Sequence, residues 1–108
     1  MYVIIQGKRI PFRDSVKFLE RFKGFMFVLK PIEVGLRFPK RCFLHTYFIC
    51  QDIDIIMTDK NHKIIKLYPN FASERIIFPK RGVYYTYELP CGSIQKLKVG
   101  DILKVKEK

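Results

Sequence analysis

The sequence predicts a mainly β domain, a small β-sandwich or barrel-like antiparallel sheet with one short helix near the N-terminus. Ten Phe and six Tyr, with Ile and Val in short runs, favour strands over helices. Gly, Pro, Asn and Asp separate these runs at close intervals, as turns between short strands do. The chain has 108 residues, 48% of them apolar, which suffices for one hydrophobic core but not for two. We therefore expect a single globular domain over residues 1–108.

The N-terminal part is predicted to contain a hairpin, a helix and two further strands. Residues 2–5 and 8–12 flank a Gln-Gly pair, which is typical of a tight hairpin turn. Apolar residues then recur at helical spacing up to Lys23, behind Asp14 or Ser15 as the N-cap. The segments 25–29 and 34–38 are short apolar runs that we expect to be strands, the second of them stopped by a proline.

The centre of the chain, residues 45–59, predicts a second hairpin. Two apolar strands flank a polar break at Gln51 and Asp52. A two-residue loop there places Ile49 opposite Asp54 and separates His45 from Asp54 by roughly 13 Å along the strands.

The C-terminal part predicts three more strands. Residues 63–68 follow a polar turn, residues 84–89 alternate weakly, and residues 102–105 follow a Gly-Asp turn. A short extended piece is expected at 76–78 and one or two helical turns at 94–97.

Charge and composition restrict the classes of partner. Twenty-one Lys and Arg against ten Asp and Glu give a net charge of +11, which attracts anionic partners, nucleic acid among them, without naming one. The longest apolar run, 25–29, is far shorter than the roughly 20 residues that cross a bilayer, so no membrane insertion is predicted. Three cysteines and an N-terminus that begins directly with a strand pattern predict reduced thiols in the cytoplasm.

Four motifs, taken in order, carry a resemblance to a known family. They are E-R-F-K-G-F-M at 20–26, H-T-Y at 45–47 followed by I-D-I-I at 53–56 and later an Asp, Y-T-Y-E-L-P-C-G-S-I at 85–94, and L-K-V-G-D-I-L at 97–103. The chain resembles the domain of unknown function family 192, small archaeal and bacterial proteins with no assigned activity. The resemblance implies a mainly β, sandwich-like domain with one short helix. Where that family shows M-R-F-P, this chain has I-C-Q-D at 49–52, so a role that rests on the family's arginine is in doubt here.

Asp54 is the most suggestive single residue, because it stands between two isoleucines in an apolar strand. An unpaired buried carboxylate costs several kcal/mol, so something must pair with it. It is either an acid or anchor in a pocket or a structural aspartate that accepts hydrogen bonds from the backbone or from Arg21, and the second role is the commoner one. The first hypothesis is a non-catalytic binding module for a small polar ligand or a protein partner, with its pocket near His45, Asp54 and Glu88 and with Arg21 as a further candidate.

The alternative hypothesis is single-stranded nucleic-acid binding. The segment K-G-F-M-F-V at 23–28 is similar to an RNA-binding motif whose aromatic residues stack on bases. Met26 and Lys30 depart from that motif, and core packing explains the same phenylalanines. The candidate residues are Lys23, Phe25, Phe27, Lys40 and Arg41, with Tyr84, Tyr85 and Tyr87 as further stackers.

Metal and catalytic chemistry are not favoured. Cys42 and His45 have the spacing of half a zinc site, but no second close pair completes it, so we predict no metal and no cofactor. Cys91 stands where the family shows alanine, which argues against a catalytic thiol. An enzyme also requires a titratable pair within hydrogen-bond reach, and the predicted hairpin holds His45 and Asp54 apart.

Overall fold

The computed structural model describes residues 1–14, 34–39, 44–45, 52–71, 76–77 and 81–107. Within these ranges the secondary structure consists of strands joined by turns, which confirms a mainly β fold. The strands are β1 Tyr2–Ile5, β2 Lys8–Asp14, β3 Gly35–Pro39, β4 Leu44–His45, β5 Ile53–Thr58, β6 Ile64–Phe71, β7 Ile76–Ile77, β8 Tyr85–Pro90 and β9 Lys104–Lys106.

Seven of these strands form one curled sheet, a half-barrel in the order β6-β5-β8-β3-β2-β1-β9. Only β2 and β3 pair in parallel within this sheet. The segment before β9 reaches the start of β6, where Ile64 N donates to Asp101 O and Leu103 N donates to His62 O, each at 2.8 Å. The two outer strands of the sheet are thereby linked at one end. β4 and β7 form a separate two-stranded sheet.

Local turn chemistry explains the two hairpins. Between β1 and β2, Gln6 and Gly7 both have positive φ, 53° and 76°, as the turn favoured in two-residue hairpins requires. Between β5 and β6, Asp59 Oδ1 accepts hydrogen bonds from the N–H groups of Asn61 and Lys63 at 2.8 and 3.0 Å. The predicted N-terminal hairpin and the predicted turn after Asp59 are both confirmed.

β5 lies inside the sheet, and this placement contradicts the predicted central hairpin. β6 pairs with one edge of β5 and β8 with the other, and Asp54 lies opposite Leu89 rather than opposite Ile49. His45 instead pairs with Ile76 in the small sheet. The reason is that all six residues of β5 are buried, so both of its faces and both of its edges need covering.

The predicted helix lies almost wholly outside the described residues, as does the predicted strand at 25–29. Asp14, the proposed N-cap, is the last residue of β2 and lies opposite Arg37 in β3. Residues 94–97 form turns, with Leu97 N donating to Ile94 O at 3.1 Å. In the described ranges, no helix has the length and apolar character needed to span a membrane.

The curled sheet buries apolar side chains on both faces, because successive residues of a strand point to opposite sides. We call the concave side the inner face. Its buried residues, with two from the C-terminal segments that close over it, are Val3, Ile5, Phe12, Ile56, Ile64, Tyr87, Leu89, Ile94 and Leu103. The outer face carries a second buried cluster of Leu36, Phe38, Ile53, Ile55 and Met57.

Gly35 lies where the parallel strand pair meets β8, and there is no room there for a side chain. A Cβ on Gly35 would lie 2.6 Å from Leu89 Cδ2 and 2.8 Å from the carbonyl oxygen of Glu88. We expect Gly35→Ala to lower the free energy of unfolding by about 1–3 kcal/mol, as overpacking does. Urea unfolding measures this change, with Val34→Ala at the exposed neighbouring position as the control, expected within about 0.5 kcal/mol of the wild type. Equal midpoints for the two variants would contradict the close approach.

Candidate functional site

A cleft opens at one end of the half-barrel, between the β1–β2 turn and the turns that follow β8. Its volume is about 590 Å³. We call it the end cleft, and its lining residues are Ile5, Gln6, Lys8, Arg9, Ile10, Pro11, Pro90, Cys91, Gly92, Ser93 and Gln95. Two turns more than eighty residues apart in sequence therefore form its two walls.

Among the described lining residues of the end cleft, Lys8 and Arg9 are the charged ones, and none of these residues is Asp or Glu. Lys8 lies opposite Ile5 in the β1–β2 ladder, which places it on the inner face next to a buried core residue. Arg9 is on the other side of β2, with its guanidinium carbon 5.2 Å from the centre of the Tyr2 ring. The two cations are therefore held differently, although they are adjacent in sequence.

Asp54 holds in place one wall of the end cleft, the wall formed by the turns after β8. Its side chain is completely buried on the inner face. Oδ2 accepts a hydrogen bond from the N–H of Ile94 at 3.0 Å, and Oδ1 accepts one from the N–H of Asn70 at 2.9 Å. The backbone hydrogen bonds predicted for a structural aspartate at this position are therefore present, and a role of Asp54 in binding a ligand stays a prediction.

A β-bulge in β6 brings the Asn70 N–H within reach of Asp54. Ile53 pairs with Phe71 and Ile55 pairs with Tyr68, so two residues of β6 lie opposite the single Asp54. One of the two is Pro69, which has no N–H for the ladder, and the other is Asn70, whose φ of 51° is in the left-handed region that asparagine tolerates. The predicted strand at 63–68 thus continues past Pro69 instead of ending there.

Cys91 belongs to the same hydrogen-bonded group, since its thiol donates to Asn70 Oδ1 at 2.6 Å. Burial raises the pKa of this thiol, and the nearby carboxylates of Asp54 and Asp52 raise it further. The thiol is therefore neutral near pH 7 and is a poor nucleophile. In the described ranges no cluster of three His, Cys, Asp or Glu residues is arranged to hold a metal ion.

The predicted pocket does not form as a single concavity around its two described carboxylates. Asp54 lies opposite Leu89 on the inner face, whereas Glu88 lies opposite Leu36 and Ile55 and belongs to the outer face. Both carboxylates are buried. The side chain of His45 and the whole of Arg21 lie outside the described part of the chain, so their share in a site stays a prediction.

The residues proposed for nucleic-acid binding, Lys23, Phe25, Phe27, Lys40 and Arg41, all lie outside the described ranges. The prediction that Tyr87 stacks on bases is wrong. Its side chain is fully buried and packs edge-to-face on Phe12, with ring centres 5.4 Å apart. In the described part of the chain the exposed large apolar side chains include no aromatic one: they are Met1, Val34, Val99 and Ile102. Nucleic-acid binding stays a prediction.

A buried arginine cluster, which the sequence analysis missed, lies near the start of β8, whereas the end cleft lies at the end of that strand. Arg37 makes two hydrogen bonds to Asp14, from Nε to Oδ1 at 2.5 Å and from Nη2 to Oδ2 at 2.8 Å. Its Nη1 donates to Glu107 Oε1 at 2.8 Å, and the rings of Phe12 and Tyr85 lie 5.0 and 4.5 Å from its guanidinium carbon. We call these five residues the arginine cluster.

Arg37 keeps its positive charge although it is buried. Burial lowers the pKa of Arg37, but the hydrogen bonds to Asp14 and Glu107 outweigh burial and raise the pKa above its usual value. A signal for this residue was present in the sequence, because Arg37 stands between Leu36 and Phe38 in a strand pattern. The same reasoning that singled out Asp54 applies to it.

The burial of Tyr87 on the inner face can be tested by measuring how stability depends on pH. Its hydroxyl is buried near Arg37, and burial raises the pKa of Tyr87 to about 12 although the hydrogen-bonding guanidinium of Arg37 and its positive charge act to lower it. An unfolded tyrosine has a pKa of about 10. The contribution of neutral Tyr87 to the free energy of unfolding is therefore fully present below about pH 10. It is lost as the pH rises toward about 12.

We expect Tyr87→Phe to lose stability less steeply than the wild type between about pH 10 and pH 12. Urea unfolding at several alkaline pH values measures both slopes. The slope of Tyr85→Phe serves as the comparison. Burial also raises the pKa of Tyr85, but Tyr85 is more exposed than Tyr87. Identical slopes for Tyr87→Phe and the wild type would show that the Tyr87 hydroxyl reaches water.

Comparisons with known proteins support the fold and no more than the fold. No family model matches the sequence, and no curated protein matches it. A crystal structure of a protein of unknown function from Novosphingobium aromaticivorans DSM 12444 is similar, with a TM-score of 0.76, 20% identity, and coverage of 96% of this chain and 82% of that one. A putative transcription regulator from Sinorhizobium meliloti 1021 is similar too, with a TM-score of 0.76, 16% identity, and coverage of 97% and 89%. The resemblance to the domain of unknown function family 192 stays a prediction.

Proposed function

We propose that the protein is a non-catalytic binding module and that its end cleft holds a small polar ligand. The observation that carries this proposal is a cleft of about 590 Å³ with one wall fastened from behind by a buried carboxylate. Sites for small molecules commonly measure about 300–1,000 Å³ and are largely formed before the ligand arrives. A wall tied to the core by Asp54 meets the second condition.

The lining of the end cleft supports binding rather than catalysis. Its described residues include no His, Asp or Glu that could act as a general base, and the pKa of its Cys91 thiol is raised. The hydroxyl of Ser93 already donates to the carbonyl oxygen of Pro90, at 2.5 Å. The lining groups therefore suit recognition of a ligand better than activation of a nucleophile.

The arginine cluster is the less suitable site. Asp14 occupies two donors of the Arg37 guanidinium and Glu107 occupies a third, so the chain's own carboxylates take the place that an anionic ligand would need. We assign this cluster to stability.

Amide chemical shifts of the isotopically labelled full chain test the proposal against four small polar probes: citrate, inorganic phosphate, glucose and putrescine. We expect at least one probe to shift the amides of residues 6–10 and 91–95 saturably. The amides of residues 60–63, in the β5–β6 turn, serve as the internal control and should not move with them. If none of the four probes gives a saturable change around the end cleft, the proposed function is wrong.

A further inference from the structure

We propose that the ligand of the end cleft carries an oxyanion group, a carboxylate or a phosphate, and that Lys8 is the residue that pairs with this group. The inference rests on the proposed function and adds the chemical class of the ligand. It is carried by the charge of the lining and by the position of Lys8 in the β1–β2 ladder.

The position of Lys8 aims its side chain toward the end cleft. Lys8 lies opposite Ile5, and Ile5 is a buried residue of the inner face. A lysine at this register lays its aliphatic stem along apolar neighbours and extends its ammonium group past the end of the sheet. Since Gln6 and Gly7 both adopt positive φ, the turn that carries Lys8 has a defined conformation.

Of the two adjacent cations, Lys8 and Arg9, Lys8 is the one available to bind a ligand. Both residues are exposed and neither makes an ion pair with a described residue, but Arg9 lies over the ring of Tyr2 on the opposite side of β2, whereas Lys8 has no such aromatic contact with a described residue. An ammonium group without a protein partner can donate charge-assisted hydrogen bonds to an incoming oxyanion.

Among the described residues, the acidic groups that act on the end cleft are Asp52 and Asp54, which lie near Cys91 on the wall after β8. None of the described residues that line the end cleft is acidic. The Asp54 carboxylate, behind the wall, is occupied by the two backbone N–H groups of Asn70 and Ile94, and Asp52 is not a lining residue. The side-chain amides of Gln6 and Gln95 add neutral donors at the lining.

The four-probe titration decides the inference when it is repeated on two variants with the same net charge, at about 150 mM salt to screen distant charges. Lys8→Gln removes the proposed ligand contact. Lys60→Gln, at an exposed position in the β5–β6 turn, removes a charge elsewhere.

We expect citrate, phosphate or both to bind at the end cleft of the wild type, while glucose and putrescine do not. Lys8→Gln should weaken anion binding about tenfold, as the loss of one charge-assisted hydrogen bond does, and Lys60→Gln should change it by less than about twofold. The stronger of the two anions identifies the preferred oxyanion group.

Three results would overturn the inference. Binding of glucose or putrescine at residues 6–10 and 91–95 without anion binding would leave the proposed function intact and refute the ligand class. Equal weakening by Lys8→Gln and Lys60→Gln would show that anions respond to net charge alone. The absence of binding by all four probes would remove the proposed function together with the inference.

Discussion

Replacing Arg37 by alanine is expected to lower the free energy of unfolding by about 2–4 kcal/mol, because the partly buried Asp14 carboxylate then loses its counter-charge and two charge-assisted hydrogen bonds. Only 5% of the Arg37 side chain is exposed, against 25% for Asp14. Small domains have total stabilities of about 5–15 kcal/mol, so this loss is a large fraction of the total. Urea unfolding followed by circular dichroism measures the effect.

Glu107→Gln is the matched control within the same cluster. The Glu107 side chain is 52% exposed, so its ion pair with Arg37 is screened by water and should contribute at most about 1 kcal/mol. Comparable losses for Arg37→Ala and Glu107→Gln would contradict the distinction between the buried and the exposed arm of the cluster.

The second large effect is expected for Asp54→Ala, which should lower the free energy of unfolding by about 2–4 kcal/mol. The substitution leaves the buried N–H of Ile94 without its acceptor, which costs about 1–3 kcal/mol, and it removes the acceptor of the part-buried N–H of Asn70, where water can replace some of the loss. Asp54→Asn keeps one acceptor oxygen and should fall between alanine and the wild type. Chemical denaturation gives the order of the three proteins.

Asp59 offers a matched comparison elsewhere in the chain. Its carboxylate also accepts two backbone N–H groups, those of Asn61 and Lys63, but in an exposed turn where water can replace the lost bonds. We expect Asp59→Ala to cost about 0.5–2 kcal/mol, in the range of lost caps. If Asp59→Ala destabilises the protein as much as Asp54→Ala does, burial is not what makes Asp54 important.

The strands that follow from local turn chemistry were predictable from the sequence. A Gln-Gly pair between two apolar runs is enough to place β1 and β2, and prolines and polar turns bound β3 and β8 closely. These signals act over a few residues, so they do not depend on which strands become neighbours.

Strand pairing was harder to predict because it is not local. β5 pairs with β8, about thirty residues later, and the predicted partner at 45–49 was wrong. The run I-D-I-I-M-T carried a usable signal, since it is apolar on both faces and such strands belong inside a sheet rather than in a hairpin at its edge.

The candidate site was only partly predictable for the same reason. Asp54 was singled out because a carboxylate in an apolar strand must be paired, and its structural role followed from that argument. The register between β5 and β8 places Glu88 on the opposite face of the sheet from Asp54. Only the fold brings residues 5–11 and 90–95 together as a cleft. Lys8 forms a basic pair with Arg9, but similar Lys-Arg pairs occur at 40–41 and 80–81, so the local sequence does not single Lys8 out.

Amide hydrogen exchange at Ile94 tests most directly the central claim that the buried Asp54 carboxylate holds the wall of the end cleft. In the wild type, Ile94 N–H should exchange as slowly as the amides of β8 although it lies in a turn, and Asp54→Ala should speed its exchange selectively, together with that of Asn70. Fast exchange of Ile94 in the wild type, at the rate of exposed amides in the same turn, would contradict the account.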